Sequence, residues 1–224
     1  MKPHVHPWNS PFVVFAVVFC LVLATGTFVA RELNANSRGA VKPEQLAFVP
    51  DWQRLAEVGH AQGRATAPVR VVLFADYQCA GCAALHKLLA TATDSMADRL
   101  QIVTRHFPLS GHAHARAAAN AAECAAEQGR FAAFEDVAYQ LQDSIGMATW
   151  ATFAVRAGVP DTAAFNGCVM ANRHRDAVER DRNAALALKL AGTPVYIVNG
   201  LPHFGAPPLA ALMQHLNEGV NHAR

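Results

Sequence analysis

Two cysteines, Cys79 and Cys82, stand where a short apolar run meets a helical pattern. Residues 69–74 (VRVVLF) are rich in β-branched Val and apolar at every position but Arg70, as expected of a central strand covered on both faces. Asp76, Tyr77 and Gln78 follow, then Cys79-Ala80-Gly81-Cys82, then a stretch in which Leu85, Leu88 and Leu89 recur at helical spacing. Residues 100–107 (LQIVTRHF) read as a second strand, ended by Pro108. This is a β–α–β unit of ordinary size with a CxxC opening its helix.

That placement carries chemistry. The first turn of a helix leaves N–H groups unpaired, and the helix dipole puts partial positive charge there. Both stabilise a thiolate at Cys79, which makes it a nucleophile and a good leaving group near neutral pH. Cys82 lies one turn deeper and resolves the mixed disulfide formed at Cys79. A zinc site would need two further ligands, and no second close pair of cysteines is present. A purely structural disulfide of this spacing closes almost no loop and restrains little of the unfolded chain.

The rest of the chain sorts around this unit. Residues 12–30 (FVVFAVVFCLVLATGTFVA) carry no charge, and a helix of that length is about 28 Å long, close to the hydrocarbon thickness of a bilayer. It reads as a transmembrane signal-anchor in preference to a cleaved signal peptide ending near Gly26, because the apolar run continues past that site. Residues 1–31 are then a cytoplasmic tip and anchor, 32–64 a tether and lead-in, and 65–224 the folded domain. Asp51 to Val58 reads as one or two helical turns. Residues 112–142 are Ala-rich and helical, broken at Gly129. Further helical pattern over 147–157 and 161–190 is punctuated by Gly158, Pro160 and Gly167. A strand follows at 195–198. Asn199-Gly200 signals a hairpin turn into 201–204, and an amphipathic helix covers 208–218.

The chain has 224 residues, 52% of them hydrophobic and 16% charged, with a formal net charge of +2. It has no block of like basic residues, which argues against nucleic-acid binding. Of five cysteines, Cys20 lies in the apolar run as a small filler. The remaining four, Cys79, Cys82, Cys124 and Cys168, suit an oxidising compartment. Cys124 and Cys168 read either as a second pair or as ordinary buried thiols. The close pairs His4/His6 and His112/His114 give no metal-site pattern. His112 and His114 read as residues that start or cap the Ala-rich helix, His86 as a helix-surface residue, and Asp76 as a solvated turn or cap.

Four segments, in order, resemble the DsbA-like thioredoxin-fold family, and in particular its membrane-anchored branch. They are VVLFADYQCAGC, RHFPLSGHAHARAAANAAECAAEQGRF, FNGCVMANRHRDAVERD and GTPVYIVNG. The resemblance runs from about Trp52 to the C-terminus. It implies an α/β thioredoxin fold with an inserted α-helical domain over about residues 110–190, here preceded by a transmembrane helix. It implies that Thr193-Pro194 is a cis peptide packed beside the CxxC, where neighbouring backbone groups face an extended substrate chain. A plain proline at a strand start is the alternative. It also implies that Cys124 and Cys168 form a structural disulfide, closing roughly 45 residues and contributing about 3–4 kcal/mol. The chain departs from the family pattern at Ala80-Gly81, where proline often follows the first Cys, and at Leu73, where many relatives carry a buried Glu that assists proton transfer to the resolving thiol.

By this resemblance the chain is a protein thiol–disulfide oxidoreductase. It is expected to work in the periplasm or at the cell exterior as a monomer on the inner membrane, introducing disulfides into exported cysteine-containing proteins. A quinone-linked membrane partner would re-oxidise it, and no cofactor or metal is called for. A reductase or isomerase of the same fold is one alternative. A chaperone or Cu(I)-binding module using the CxxC as soft ligands is another.

Overall fold

The computed structural model describes residues 48–222. The apolar run 12–30, with Cys20, His4 and His6, lies outside the described residues. Among those described, no helix is long and apolar enough to cross a membrane.

The core is a five-stranded sheet with order β1-β3-β2-β4-β5. These strands are β1 (His60–Gly63), β2 (Val69–Ala75), β3 (Leu100–His106), β4 (Val195–Val198) and β5 (Leu201–Phe204). β2 and β3 run parallel, joined through helix α2 (Ala80–Met96), and the remaining neighbours are antiparallel. Central β2 is covered on both faces, as its apolar run requires. Val69, Val71, Leu73 and Ala75 belong to one core cluster and Val72 and Phe74 to the other. The first cluster takes Leu85, Leu89 and Met96 from α2, and Leu212 and Leu216 from the last helix, α8 (Leu209–His222). The second takes Ala56 from the short helix α1 (Trp52–Ala56) and Ala185 from α7 (Arg175–Ala187). The Asn199-Gly200 turn has positive φ at both residues, 45° and 94°, as a two-residue hairpin between right-twisted strands favours.

Between β3 and β4 lies the helical insertion. It contains α3 (Ala115–Ala126), α4 (Phe131–Gln140), α5 (Trp150–Arg156), α6 (Thr162–Met170) and α7. Phe134 packs against Phe165 and Phe153 at its centre, with ring centroids 5.9 and 6.3 Å away. α7 is fixed to the sheet by a buried ion pair. Asp181 Oδ1 accepts from Arg105 Nε at 2.8 Å and Nη2 at 2.7 Å, while its Oδ2 accepts from the His106 amide at 3.0 Å.

Two boundaries differ from the sequence reading. Residues 60–63, assigned to the lead-in, form the edge strand β1, paired antiparallel from His60↔Thr104 to Gly63↔Gln101. HAQG has no run of β-branched residues, and its partner is supplied by tertiary context. Gly167 sits inside α6; the chain instead breaks near Asn172, whose φ is +46°. Asn tolerates that left-handed conformation better than most residues.

Candidate active site

β2 ends at Ala75, and the chain turns through Asp76, Tyr77 and Gln78 into the first turn of α2. Cys79 is the residue just before the helix, with extended backbone (φ −83°, ψ 116°). Its carbonyl accepts from the Cys82 amide at 3.0 Å and from the Ala83 amide at 3.2 Å. Cys79 is half-buried and Cys82 is 2% exposed, and both are free thiols. The Cys82 Sγ accepts from the Asp76 amide at 3.4 Å.

The two sulfurs differ sharply in acidity. A hydrogen bond from the Cys82 thiol is the largest cause that holds Cys79 down, to about 5 from an ordinary value of 9.0. Burial opposes it, while the Thr193 side chain and the amides of Cys82 and Gly81 add to it. Both amides belong to the first turn of α2, whose N–H groups point back toward Cys79. Burial is the main cause that pushes Cys82 far up, and the neighbouring Cys79 reinforces it. The arrangement gives an accessible thiolate backed by a protonated, shielded thiol.

Thr193-Pro194 is a cis peptide at the head of β4. The Cys79 Sγ lies 3.3 Å from the Thr193 carbonyl oxygen. A Cβ placed on Gly81 would stand 3.1 Å from Pro194 Cδ and 3.7 Å from Cys79 Sγ. Gly81 thus lets the proline ring close over the CxxC, a packing reason for a residue that intrinsically weakens a helix start. Cys79, Cys82, Thr193 and Pro194 form one constellation.

Asp76 differs from the sequence reading. It is 2% exposed, not solvated. Its Oδ1 accepts from the Gln78 amide at 2.7 Å, the turn role expected of it. Its Oδ2 accepts from the Leu109 amide and from His112 Nδ1, both at 2.8 Å. His112 therefore pairs with the active-site turn. His114 stands at the N-cap of α3 without capping it through its side chain. His86 is partly covered, bonded to Asp136 at 2.7 Å and tilted against Tyr139 at 4.8 Å. Sequence reasoning missed Gln142, whose Nε2 donates to the carbonyls of Tyr77 (2.7 Å) and Cys79 (3.0 Å).

Cys124 of α3 and Cys168 of α6 form a disulfide, with Cα atoms 5.9 Å apart. They do not join the CxxC; they tie two helices of the insertion. His60 and His106 converge on one oxygen of Glu123, at 3.0 and 3.1 Å. Against the upward push of burial, hydrogen bonds from His106 and His60 hold Glu123 well below the usual carboxylate range. Donors of this type could hold a divalent metal, but hydrogen bonding among the three accounts for their placement.

The family model described as thioredoxin matches residues 55–217. Among curated proteins, the Na(+)/H(+) antiporter NhaA 3 of Salinispora tropica is 35% identical over 188 residues, which is 82% of this chain and 27% of that protein. The chain thus spans about a quarter of the length of the curated relatives it matches. Among solved structures, oxidised BdbD from Bacillus subtilis aligns with a TM-score of 0.68 at 16% identity, covering 79% of this chain and 98% of that one. The thiol-disulfide exchange protein α-DsbA2 from Wolbachia pipientis aligns with a TM-score of 0.65 at 20% identity, covering 75% and 91%. At these identities the likeness is one of fold.

Proposed function

The chain belongs to the thioredoxin family and has the fold of DsbA-like thiol–disulfide oxidoreductases, and from that premise we propose that it introduces disulfides into exported proteins. The observation that carries this reading is Cys79 at the start of α2, its Sγ 3.3 Å from the Thr193 carbonyl oxygen and its thiol lowered to about 5, with Cys82 buried in the first turn behind it.

In the oxidised form a substrate thiolate attacks Cys79 Sγ. The Cys79–Cys82 bond breaks, the electron pair moves to Cys82, and Cys82 takes up a proton because burial disfavours its thiolate. A second substrate thiolate then attacks the substrate sulfur of the mixed disulfide and expels Cys79. A low thiol pKa makes Cys79 the better leaving group, so transfer runs toward the substrate. The substrate ends with one disulfide, and two electrons rest on Cys79 and Cys82. Thr193 and Pro194 line the place where an extended substrate backbone pairs.

In this reading residues 1–31 anchor the domain outside the cytoplasmic membrane, where disulfides persist. A quinone-linked membrane protein takes the two electrons back, and the domain works as a monomer. The relative from Salinispora tropica is a Na(+)/H(+) antiporter by name, but the chain matches only 27% of its length.

The test is to mix the oxidised full chain with reduced, unfolded ribonuclease and count disulfides transferred. The expected result is one disulfide per chain, abolished by Cys79→Ser. Transfer in neither direction, with Cu(I) binding or holdase activity that survives Cys79→Ser and Cys82→Ser together, overturns the reading.

A further inference from the structure

His60, His106 and Glu123 come from three different elements and meet at one point. His60 opens the edge strand β1, His106 closes β3, and Glu123 lies in α3 of the insertion, one residue before the disulfide-bonded Cys124. His60 Nε2 and His106 Nε2 stand 3.0 and 3.1 Å from the same carboxylate oxygen, Glu123 Oε1. The three donor atoms all lie within 4.8 Å of one another.

Hydrogen bonds bring these groups together, yet they use the carboxylate unevenly. Both imidazoles crowd Oε1, and among the described residues none donates to Oε2. A carboxylate offers about four lone-pair sites over two oxygens, so two separate donors need not share one of them. Convergence of two imidazole nitrogens and one carboxylate oxygen on a single point is the arrangement that a cation rewards. Metal bonds of about 2.0–2.1 Å in a tetrahedron put the ligand atoms about 3.3 Å apart, so a widening of a few tenths of an ångström admits an ion.

The ligands are held in place by their surroundings. The His60 ring stacks on Phe131, with centroids 3.7 Å apart and planes 14° apart. His106 is buried, and its amide is tied to Asp181. The neighbouring disulfide fixes the helix that carries Glu123. The side chains of His60 and Glu123 are 24% and 13% exposed, so solvent reaches one side of the cluster and water can complete the tetrahedron. Two imidazoles with one carboxylate suit Zn2+ and its transition-series neighbours, whereas Ca2+ takes six to eight oxygen ligands. Cys124, Cys168 and His174 also approach one another, but the disulfide consumes both thiols.

We propose that His60, His106 and Glu123 bind one divalent transition-metal ion of the Zn2+ class, which pins the edge strand β1 to the helical insertion. When the ion bonds Nε2, each neutral imidazole carries its proton on Nδ1, so the two hydrogen bonds to Oε1 are exchanged for metal bonds. The ion holds a strand whose own residues, HAQG, have little strand propensity. It binds only where all three elements are assembled, and so it stabilises the folded chain by mass action. The site stands apart from the thiol–disulfide chemistry and does not depend on it.

The test titrates ZnCl2 into the oxidised full chain, stripped first with EDTA, in which Cys79 and Cys82 are joined and neither thiol is a ligand. The wild type is expected to bind one Zn2+ per chain and to melt at a higher temperature once loaded. CaCl2 at the same concentration leaves the melting temperature unchanged. His60→Gln and Glu123→Gln each weaken binding by about 100-fold or more, since loss of an outer-shell partner alone costs about 10–100-fold. His4→Ala together with His6→Ala keeps the wild-type affinity, which separates the cluster from the N-terminal histidines. In the wild type, the ring protons of His60 and His106 shift on addition of Zn2+ in the NMR spectrum, a readout that needs no substitution at the site. No stoichiometric binding by the wild type, an equal response to Ca2+, unshifted rings, unchanged affinity in His60→Gln or Glu123→Gln, or binding lost with His4 and His6 overturns the proposal.

Discussion

Gln142, at the end of the first helical pair of the insertion, donates a hydrogen bond of 3.0 Å to the carbonyl of Cys79, the residue that opens the active-site helix. A second bond, 2.7 Å to the Tyr77 carbonyl, makes the clamp two-pronged. The insertion therefore holds the turn that aims the nucleophile.

Gln142→Ala removes both bonds and leaves two carbonyls without that donor. At about 1 kcal/mol per bond, unfolding by urea should show a loss of about 1–2 kcal/mol. The Cys79 alkylation rate should change as well, since its carbonyl also receives the first helical N–H groups. A variant with wild-type stability and alkylation rate would mean that the clamp holds nothing.

Cys79 makes the reduced form's stability depend on pH in a defined direction. Its folded pKa, about 5, is depressed from 9.0, so the folded state favours the thiolate. That contribution is complete above pH 9 and is lost as pH falls through 5. Cys82 is raised, so its contribution is complete below 9 and plays no part in this window. The melting temperature of the reduced form minus that of the oxidised form should therefore fall as pH is lowered from 9 to 5. Cys82→Ala removes the largest cause of the depression, and thiolate absorbance should then titrate at a higher pH.

Asp76 tests the buried turn. Its carboxylate accepts from two amides and from His112. Asp76→Ala should destabilise by about 2–4 kcal/mol, because the Gln78 and Leu109 amides both lose their acceptor. Chemical denaturation checks the size. A loss under about 0.5 kcal/mol would place the turn's stability elsewhere.

Much of this was legible along the chain. The strand–CxxC–helix junction, the β2 and β3 runs and the Asn199-Gly200 turn are all written in local residue pattern. Gly129 marks the break between α3 and α4. What was not legible depends on partners far away in sequence. Asp76 reads as a surface turn until Leu109 and His112 reach it. β1 pairs with residues 101–104 and has no apolar alternation of its own. Gln142 looks like any polar helix end. Glu135 did leave a signal, since it lies one helical turn from Phe131 and from Tyr139, on the apolar side of α4. A carboxylate on such a face is read as exposed by default, and only the packed structure places it at 1% exposure.

The Cys124–Cys168 bond should be structural and independent of the redox pair. It spans a sequence separation of 44 residues. Replacing both with Ala should lower the unfolding free energy by about 3–4 kcal/mol in the chain-entropy account. Disulfide transfer by Cys79 and Cys82 should persist at temperatures where the variant stays folded. Loss of transfer in a folded variant would show that the insertion's disulfide takes part in the chemistry.

The most direct measurement is the equilibrium reduction potential of the Cys79/Cys82 pair, titrated against glutathione with each cysteine pair resolved by alkylation and mass spectrometry. A stabilised Cys79 thiolate favours the reduced form, so the pair is expected well above about −200 mV, toward the roughly −120 mV of a strong disulfide donor. A value near about −270 mV, that of thioredoxin, would contradict a donor and make the protein a reductase.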